Sequence, residues 1–397
     1  MDLPNKNIEF IPSRLTEVRA GLGFSMAELA RKVKVTPQAI SNYEAGVRVP
    51  DPEVLIKIAS ELGFPMSYFT GAHFTKITQR GTTFFRSQLS ARTKKEQAIR
   101  SQETSWIFQV YSWLSSYVTF PELDLPNDQL SRKCTCSRIE ECTCNQKGLT
   151  LDEIETLAAN LRIHWGLSNG PISNMVDLLE SKGIAVVRQK SSNAKLDAVS
   201  QYVNGVPIVF LGDDKISSVR SRFDAAHELG HILMHSSVSQ RELAEPAVLK
   251  RVEKEANAFA SAFLMPRRTF GGEVYKATLK SFESLKPRWL VSMQAMIVRA
   301  NTLGLISAAD QKRLFIQISS KGYRKSEPLD DKIPFEQPRL LNNAWRLITD
   351  KGGMRSSRIV EDLRLPIDLI AGVLNVRAEE LVQPSKIVGL NLKLAER

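Results

Sequence analysis

The segment His227-Glu228-Leu229-Gly230-His231 constrains this chain more than any other stretch. Two histidines four residues apart share one face of a helix, so both imidazoles can reach a single cation. Glu228 lies between them, where it is placed to take a proton from water and need not itself be a ligand. A catalytic cation site of this kind needs a third protein ligand and one open position.

His235 is next in helical register, but a third imidazole one turn further along a straight helix projects past the cation. It reads as a C-terminal cap or a core histidine. The long metzincin pattern requires Gly at 234 and His at 237, and Met234 and Ser237 exclude it. The better source is the run EKEANAFASAFLMP from Glu253, in which Glu253 and Asn257 stand at i and i+4 while Ala256, Phe259, Ala260 and Phe263 form a packing face. Glu253 is the expected third ligand and Asn257 the expected orienting partner of a histidine. Glu255 competes with Glu253 for the ligand role, or else is a solvated helix carboxylate.

Around this motif the pattern is mainly α with a small antiparallel sheet, an α+β chain. Apolar residues recur at helical spacing from Leu151 to Leu161. Ile184–Arg188 is β-rich, and Ala198–Val203 and Val206–Leu211 flank Asn204-Gly205, a pair suited to a tight hairpin. Helices resume at Ser217–His235 and Leu249–Leu264, and Met265-Pro266 supplies a stop. The linear partition is a helical domain over 1–71, a helical connector over 72–148, a metal-binding domain over 149–270 and a mostly helical region over 271–397. A weak two-helix pattern at Ser356–Leu374 does not carry a second DNA reader.

All four cysteines fall in the connector, at Cys134, Cys136, Cys142 and Cys144. Four close thiols fit a second, structural zinc site or a redox switch. The CxC spacing is tighter than usual for zinc, so four unligated thiols remain the third reading. The chain has no apolar run long enough for a membrane span and a mixed-charge N-terminus (Asp2, Lys6, Glu9), so a cytoplasmic protein without membrane contact is expected. A net charge of +11 favours a polyanionic partner.

That partner is legible near the N-terminus. Leu29 and Ala30 on one helix and Ile40 and Tyr43 on the next are spaced for two helices packed across a short turn, with Thr36 capping the second and Pro37 in its first turn. Gln38, Ser41 and Asn42 then face outward as readers of base edges in double-stranded DNA, flanked by Arg31, Lys32, Lys34 and Arg48 for phosphates.

The run SMAELARKVKVTPQAISNYEAGVRVPDPEVLIKIASEL closely resembles the Xre/Cro/repressor family of helix-turn-helix domains over about sixty residues. In that family the helix equivalent to Pro37–Glu44 enters the major groove, and Lys34 stands at a turn position where Gly or Asn is common. The pair RFDAAHELGHILMH and EKEANAFASAFLMP resembles the ImmA/IrrE zinc metallopeptidases, loosely from Leu151 to Pro328, and Leu285–Ser307 is similar to a segment found in longer members. This resemblance implies a gluzincin-like fold with substrate lying along the small sheet. It also implies action on a helix-turn-helix repressor of phage, mobile-element or stress genes.

The expectation is therefore a transcriptional regulator, dimeric on paired half-sites, with a zinc endopeptidase domain. The alternatives are a non-proteolytic regulator whose peptidase-like domain senses a ligand, and a purely structural zinc protein. The structural reading is weaker, because structural zinc sites close the fourth position with a further Cys or His.

Base contacts specify and phosphate contacts position. In salt-titrated binding to DNA, Gln38→Ala is expected to relax base preference. Arg48→Ala is expected to weaken binding to every sequence alike and to lower the salt slope by about one.

Overall fold

Short-range capping sets the first helices. Helix α1 (Pro12–Gly21) is followed by α2 (Met26–Val33), which opens on a capping box: the Glu28 N–H donates to Ser25 Oγ at 3.2 Å and the Ser25 N–H donates to Glu28 Oε2 at 2.7 Å. Helix α3 (Pro37–Glu44) is capped by Thr36, whose hydroxyl accepts from the Ala39 N–H at 3.2 Å. Lys34, in the turn between α2 and α3, adopts φ 60° and ψ 44°. This left-handed conformation is costly for a residue with a side chain and explains the usual preference for Gly or Asn there. Helices α4 (Pro52–Leu62) and α5 (Met66–Phe69) close the N-terminal domain around Leu15, Leu29, Ile40 and Phe69.

The computed structural model describes residues 9–70, 83–85, 94–126, 148–189, 198–212 and 217–382. The cysteine cluster, expected as a second zinc or redox site, lies outside the described residues. Helix α6 (Lys94–Ser115) packs on α1 and buries Trp106, Ile107, Val110, Trp113 and Leu114. Trp106 Nε1 donates to Tyr68 Oη at 3.2 Å, and a Cβ added at Gly21 would sit 2.8 Å from the Trp106 ring.

Strand β1 (Thr83–Phe85) precedes α6, and after it come α7 (Leu151–His164), α8 (Met175–Ser181), β2 (Ala185–Gln189), β3 (Ala198–Val203) and β4 (Val206–Gly212). The sheet order is β1-β3-β4-β2. Strands β3 and β4 form the expected hairpin, with Val203 opposite Val206 and positive φ at Asn204 (49°) and Gly205 (88°). The sheet is not wholly antiparallel, however, because β2 pairs parallel to β4, Val186 opposite Val209. The hairpin inserts β4 between β2 and β3, and neighbours of that kind are invisible to strand-by-strand reading. Central position explains the continuous apolar run of β4, which is buried on both faces.

Against the sheet lies α9 (Ser218–Met234); α11 (Pro246–Leu264), which follows the short α10 (Gln240–Leu243), packs on α9. Beyond these come α12 (Arg267–Glu273), α13 (Leu279–Trp289), α14 (Met293–Thr302) and α15 (Ala308–Ser320), whose Phe282, Trp289, Met296 and Leu314 join one core with α7, α9 and α11. The described residues end in α16 (Leu340–Arg346), a π turn (Leu347–Lys351), α17 (Arg358–Leu363), α18 (Ile367–Leu374) and α19 (Ala378–Val382). Among the described residues no helix is long and apolar enough to cross a membrane.

Two units emerge, one of Met1–Ile77, Thr93–Thr119 and Leu341–Arg397, the other of Thr78–Arg92 and Phe120–Leu340. These units divide the chain differently from the linear partition in two places. Helix α6 is core rather than connector: it packs on α17 and α18 as well as α1, and Trp113 Nε1 donates to Asp362 Oδ2 at 3.0 Å. The second unit does not stop at 270, since Lys286 is buried with Glu327 (3.0 Å) and Asp330 (2.6 Å), and Glu336 pairs with Arg222 of α9.

Glu180 of α8 is also buried; its Oε2 accepts from the Arg339 N–H at 2.9 Å and the Leu340 N–H at 3.0 Å, while Oε1 has no hydrogen-bond partner among the described residues. Burial pushes this carboxyl up to about 7 from an ordinary 4.5, against the pull of the two amides. A carboxyl raised in the folded state contributes stability below its unfolded pKa and loses it as pH rises through the folded value. Denaturant unfolding at pH 5 and pH 8 should therefore show Glu180→Gln gaining on the wild type with rising pH, by up to about 3 kcal/mol.

Candidate metal centre and nucleic-acid interface

Helix α9 carries His227, Glu228 and His231 on its buried face, each at most 1% exposed. Their partners come from α11, and what lets α11 near is Gly230. A Cβ there would stand 3.1 Å from Phe259 Cδ1 and 3.3 Å from Ala256 Cα, so the glycine and the small Ala256 let the two backbones close together.

At this crossing the structure brings together His227, His231 and Glu253, with one ligand atom from each within 4.8 Å of the others. The two Nε2 atoms are 2.9 Å apart; Glu253 Oε2 lies 3.4 Å from His227 Nε2, and Oε1 lies 3.4 Å from His231 Nε2. Asn257 sits behind His227, its Oδ1 3.2 Å from Nδ1. Its Nδ2 donates to the Glu253 carbonyl at 2.8 Å, which leaves Oδ1 as the acceptor facing the ring. His227 then carries its proton on Nδ1 and turns a bare Nε2 toward Glu253. Two imidazoles and a carboxylate are the donor set of a borderline-soft divalent cation such as zinc, with one position open. The residues fit such an ion.

Glu228 is held apart from this trio: Ser200 Oγ on β3 donates to its Oε2 at 2.6 Å. No sequence signal marked Ser200, a strand residue far upstream. Glu255 is neither a member of the trio nor solvated. It is 7% exposed, accepts from the Leu149 N–H at 2.9 Å, and lies 2.9 Å from His235 Nε2. His235 is the residue after α9, as a capping residue should be, and is buried; burial, with His231 alongside, pushes it down to about 4 in spite of Glu255. Its Nδ1 is 2.9 Å from His231 Nδ1.

In the other unit, α3 exposes Gln38 and leaves Ser41 and Asn42 half-buried, while Ile40 and Tyr43 are buried beneath them. Gln38 Nε2 donates to Asn42 Oδ1 at 3.1 Å, pairing two of the amide side chains on the outer face. Arg31, Lys32, Lys34 and Arg48 are all exposed around it.

Comparison with known families agrees with both descriptions. A helix-turn-helix family model matches residues 15–69. A peptidase-family model described as an IrrE N-terminal-like domain matches residues 179–301. No curated protein matches. One chain thus joins an Xre-like helix-turn-helix domain to an IrrE/ImmA-like domain, which makes it a DNA-binding regulator with a peptidase-like domain.

Ser200→Ala would remove the hydroxyl that donates to a buried carboxylate and touch no member of the trio. Thermal or denaturant unfolding should show a loss of about 1–3 kcal/mol, with metal content unchanged.

Proposed function

We propose that the chain is a transcriptional regulator whose second unit is a zinc-dependent endopeptidase acting on a repressor-like protein, with His227, His231 and Glu253 holding zinc and Glu228 as general base. The observation that carries the reading is Glu228 itself. A protein that only retained a cation, or only sensed a ligand, has no need of a buried carboxylate beside the trio yet outside it. Bound zinc supplies Lewis acidity toward the scissile carbonyl. Glu228, steadied by Ser200, takes the proton of the attacking water and returns it to the leaving amine. Gln38, Ser41, Asn42 and Arg48 read and grip double-stranded DNA, and a homodimer on paired half-sites suits a reader of this type.

One observation favours the second reading, a non-proteolytic regulator that senses a ligand. A cavity of about 670 Å³ opens beside the centre, lined by Phe223, Asp224, Asn257, Ala258, Val298 and Phe315. That volume lies in the range of small-molecule sites.

Glu228→Gln and His231→Ala separate the two. The Gln variant is expected to keep zinc and DNA binding but lose a hundredfold or more in cleavage of co-expressed repressor-like proteins. The Ala variant is expected to lose zinc as well. If Glu228→Gln regulates its target genes in cells just as the wild type does, proteolysis is dispensable and the sensing reading prevails.

A further inference from the structure

We infer that His235 and Glu255 are positioning residues that fix the tautomer of His231, so that its Nε2 is bare and directed at the cation site. The inference rests on the metal-binding reading above and adds to it two residues that neither ligate nor touch substrate.

The argument is one of proton placement along a buried line. Glu255 is engaged on both oxygens, Oε1 by the Leu149 N–H at 2.9 Å and Oε2 by His235 Nε2 at 2.9 Å. An ionised carboxylate only accepts, so His235 must present Nε2–H to it. A neutral imidazole has one ring proton, and with that proton on Nε2 the Nδ1 atom of His235 is an acceptor. The 2.9 Å contact between the two Nδ1 atoms then takes its proton from His231. His231 is left with Nδ1–H and a bare Nε2. The reverse arrangement sets two acceptors against each other at Glu255, buried and beyond the reach of water.

His227 reaches the same state by another route, through the Asn257 amide. The two Nε2 atoms, both bare and 2.9 Å apart, cannot hydrogen-bond to each other. With the Glu253 oxygens 3.4 Å from each, the centre is a set of acceptors that a cation reconciles. The two histidines are unequal, however. One is backed by a neutral amide and the other, through His235, by a full negative charge, which makes His231 the more basic donor. Tight enclosure keeps Glu255 in place: a Cβ at Gly148 would lie 2.6 Å from its Oε1.

The test uses full-length protein carrying ¹⁵N-labelled histidine, with zinc affinity measured by competition against a chromophoric chelator. In metal-free wild type, His231 is expected as the single Nδ1–H tautomer. His235→Phe and Glu255→Leu should convert it to a mixture and weaken zinc about 10- to 100-fold. Glu255→Gln, which keeps a carbonyl oxygen for His235, should retain the tautomer and stay within a few-fold of wild-type affinity; it also guards against misfolding of the harsher variants. An Nε2–H on His231 in the metal-free wild type would overturn the inference, and so would wild-type zinc affinity in a folded His235→Phe protein. Absence of zinc binding by the wild type would instead defeat the metal reading, and the tautomer spectrum would still decide the relay.

Discussion

The tight crossing of α9 over α11 is the contact on which the rest of the metal centre depends. Glu253 is on a different helix from the histidines, and its carboxylate reaches both Nε2 atoms only because Gly230 and Ala256 let the backbones approach. Phe259 and Phe263, stacked at 5.5 Å, pack beside the crossing and help seal it from the core side. Burying His227, His231 and His235 with Glu228 and Glu255 beside the half-buried Glu253 would be costly if their polar atoms were left unmatched. Asn257, Ser200 and the Leu149 amide supply the matching partners, one from each of three separate segments. The site is thus assembled by the core rather than carried on a loop.

What could be read in the amino-acid sequence follows the range of the forces involved. HELGH and Glu253/Asn257 were legible because helical spacing is local: it places residues on faces before any tertiary contact is known. The Asn204-Gly205 hairpin was legible for the same reason, since positive φ is a property of one or two residues, whereas the turn at Lys34 was marked only by the family resemblance. The parallel pairing of β2 with β4 was not, because it depends on which strand the hairpin inserts between. Nor was the work of Glu255 and Ser200. A carboxylate and a hydroxyl are common surface groups, and only the distance between packed elements shows one facing His235 and the other facing Glu228.

The extension beyond α11 belongs to the same physical object. Lys286, wholly buried, binds Glu327 and Asp330, and Glu327 also accepts the Met293 and Gln294 N–H groups at the start of α14. Buried ion pairs seldom add net stability, but they penalise any register in which the charges part. Here they fix α13, α14 and the segment after α15 relative to one another. Helix α14 in turn supplies Gln294 and Val298 to the cavity beside Asn257, and Gln294 also bonds Glu327, so the shape of that cavity is tied to the charge cluster.

Connectivity adds a constraint on the DNA reader. The chain passes between its two units at 77/78, 92/93, 119/120 and 340/341, so the reader's unit is completed by its last segment. Trp113, buried on α6, finds the acceptor for its indole N–H on α17, more than two hundred residues later. Aromatic burial of this kind is worth several kcal/mol, and contacts of such sequence separation form only after a large loop-closure entropy has been met. The helix-turn-helix at residues 15–69 has its own small core, but the surface that α6 offers to α17 and α18 is covered only once the intervening peptidase-like unit has been synthesised. A complete reader unit therefore presupposes the chain on both sides of the candidate metal centre, which ties its integrity to the same polypeptide that carries His227, His231 and Glu253.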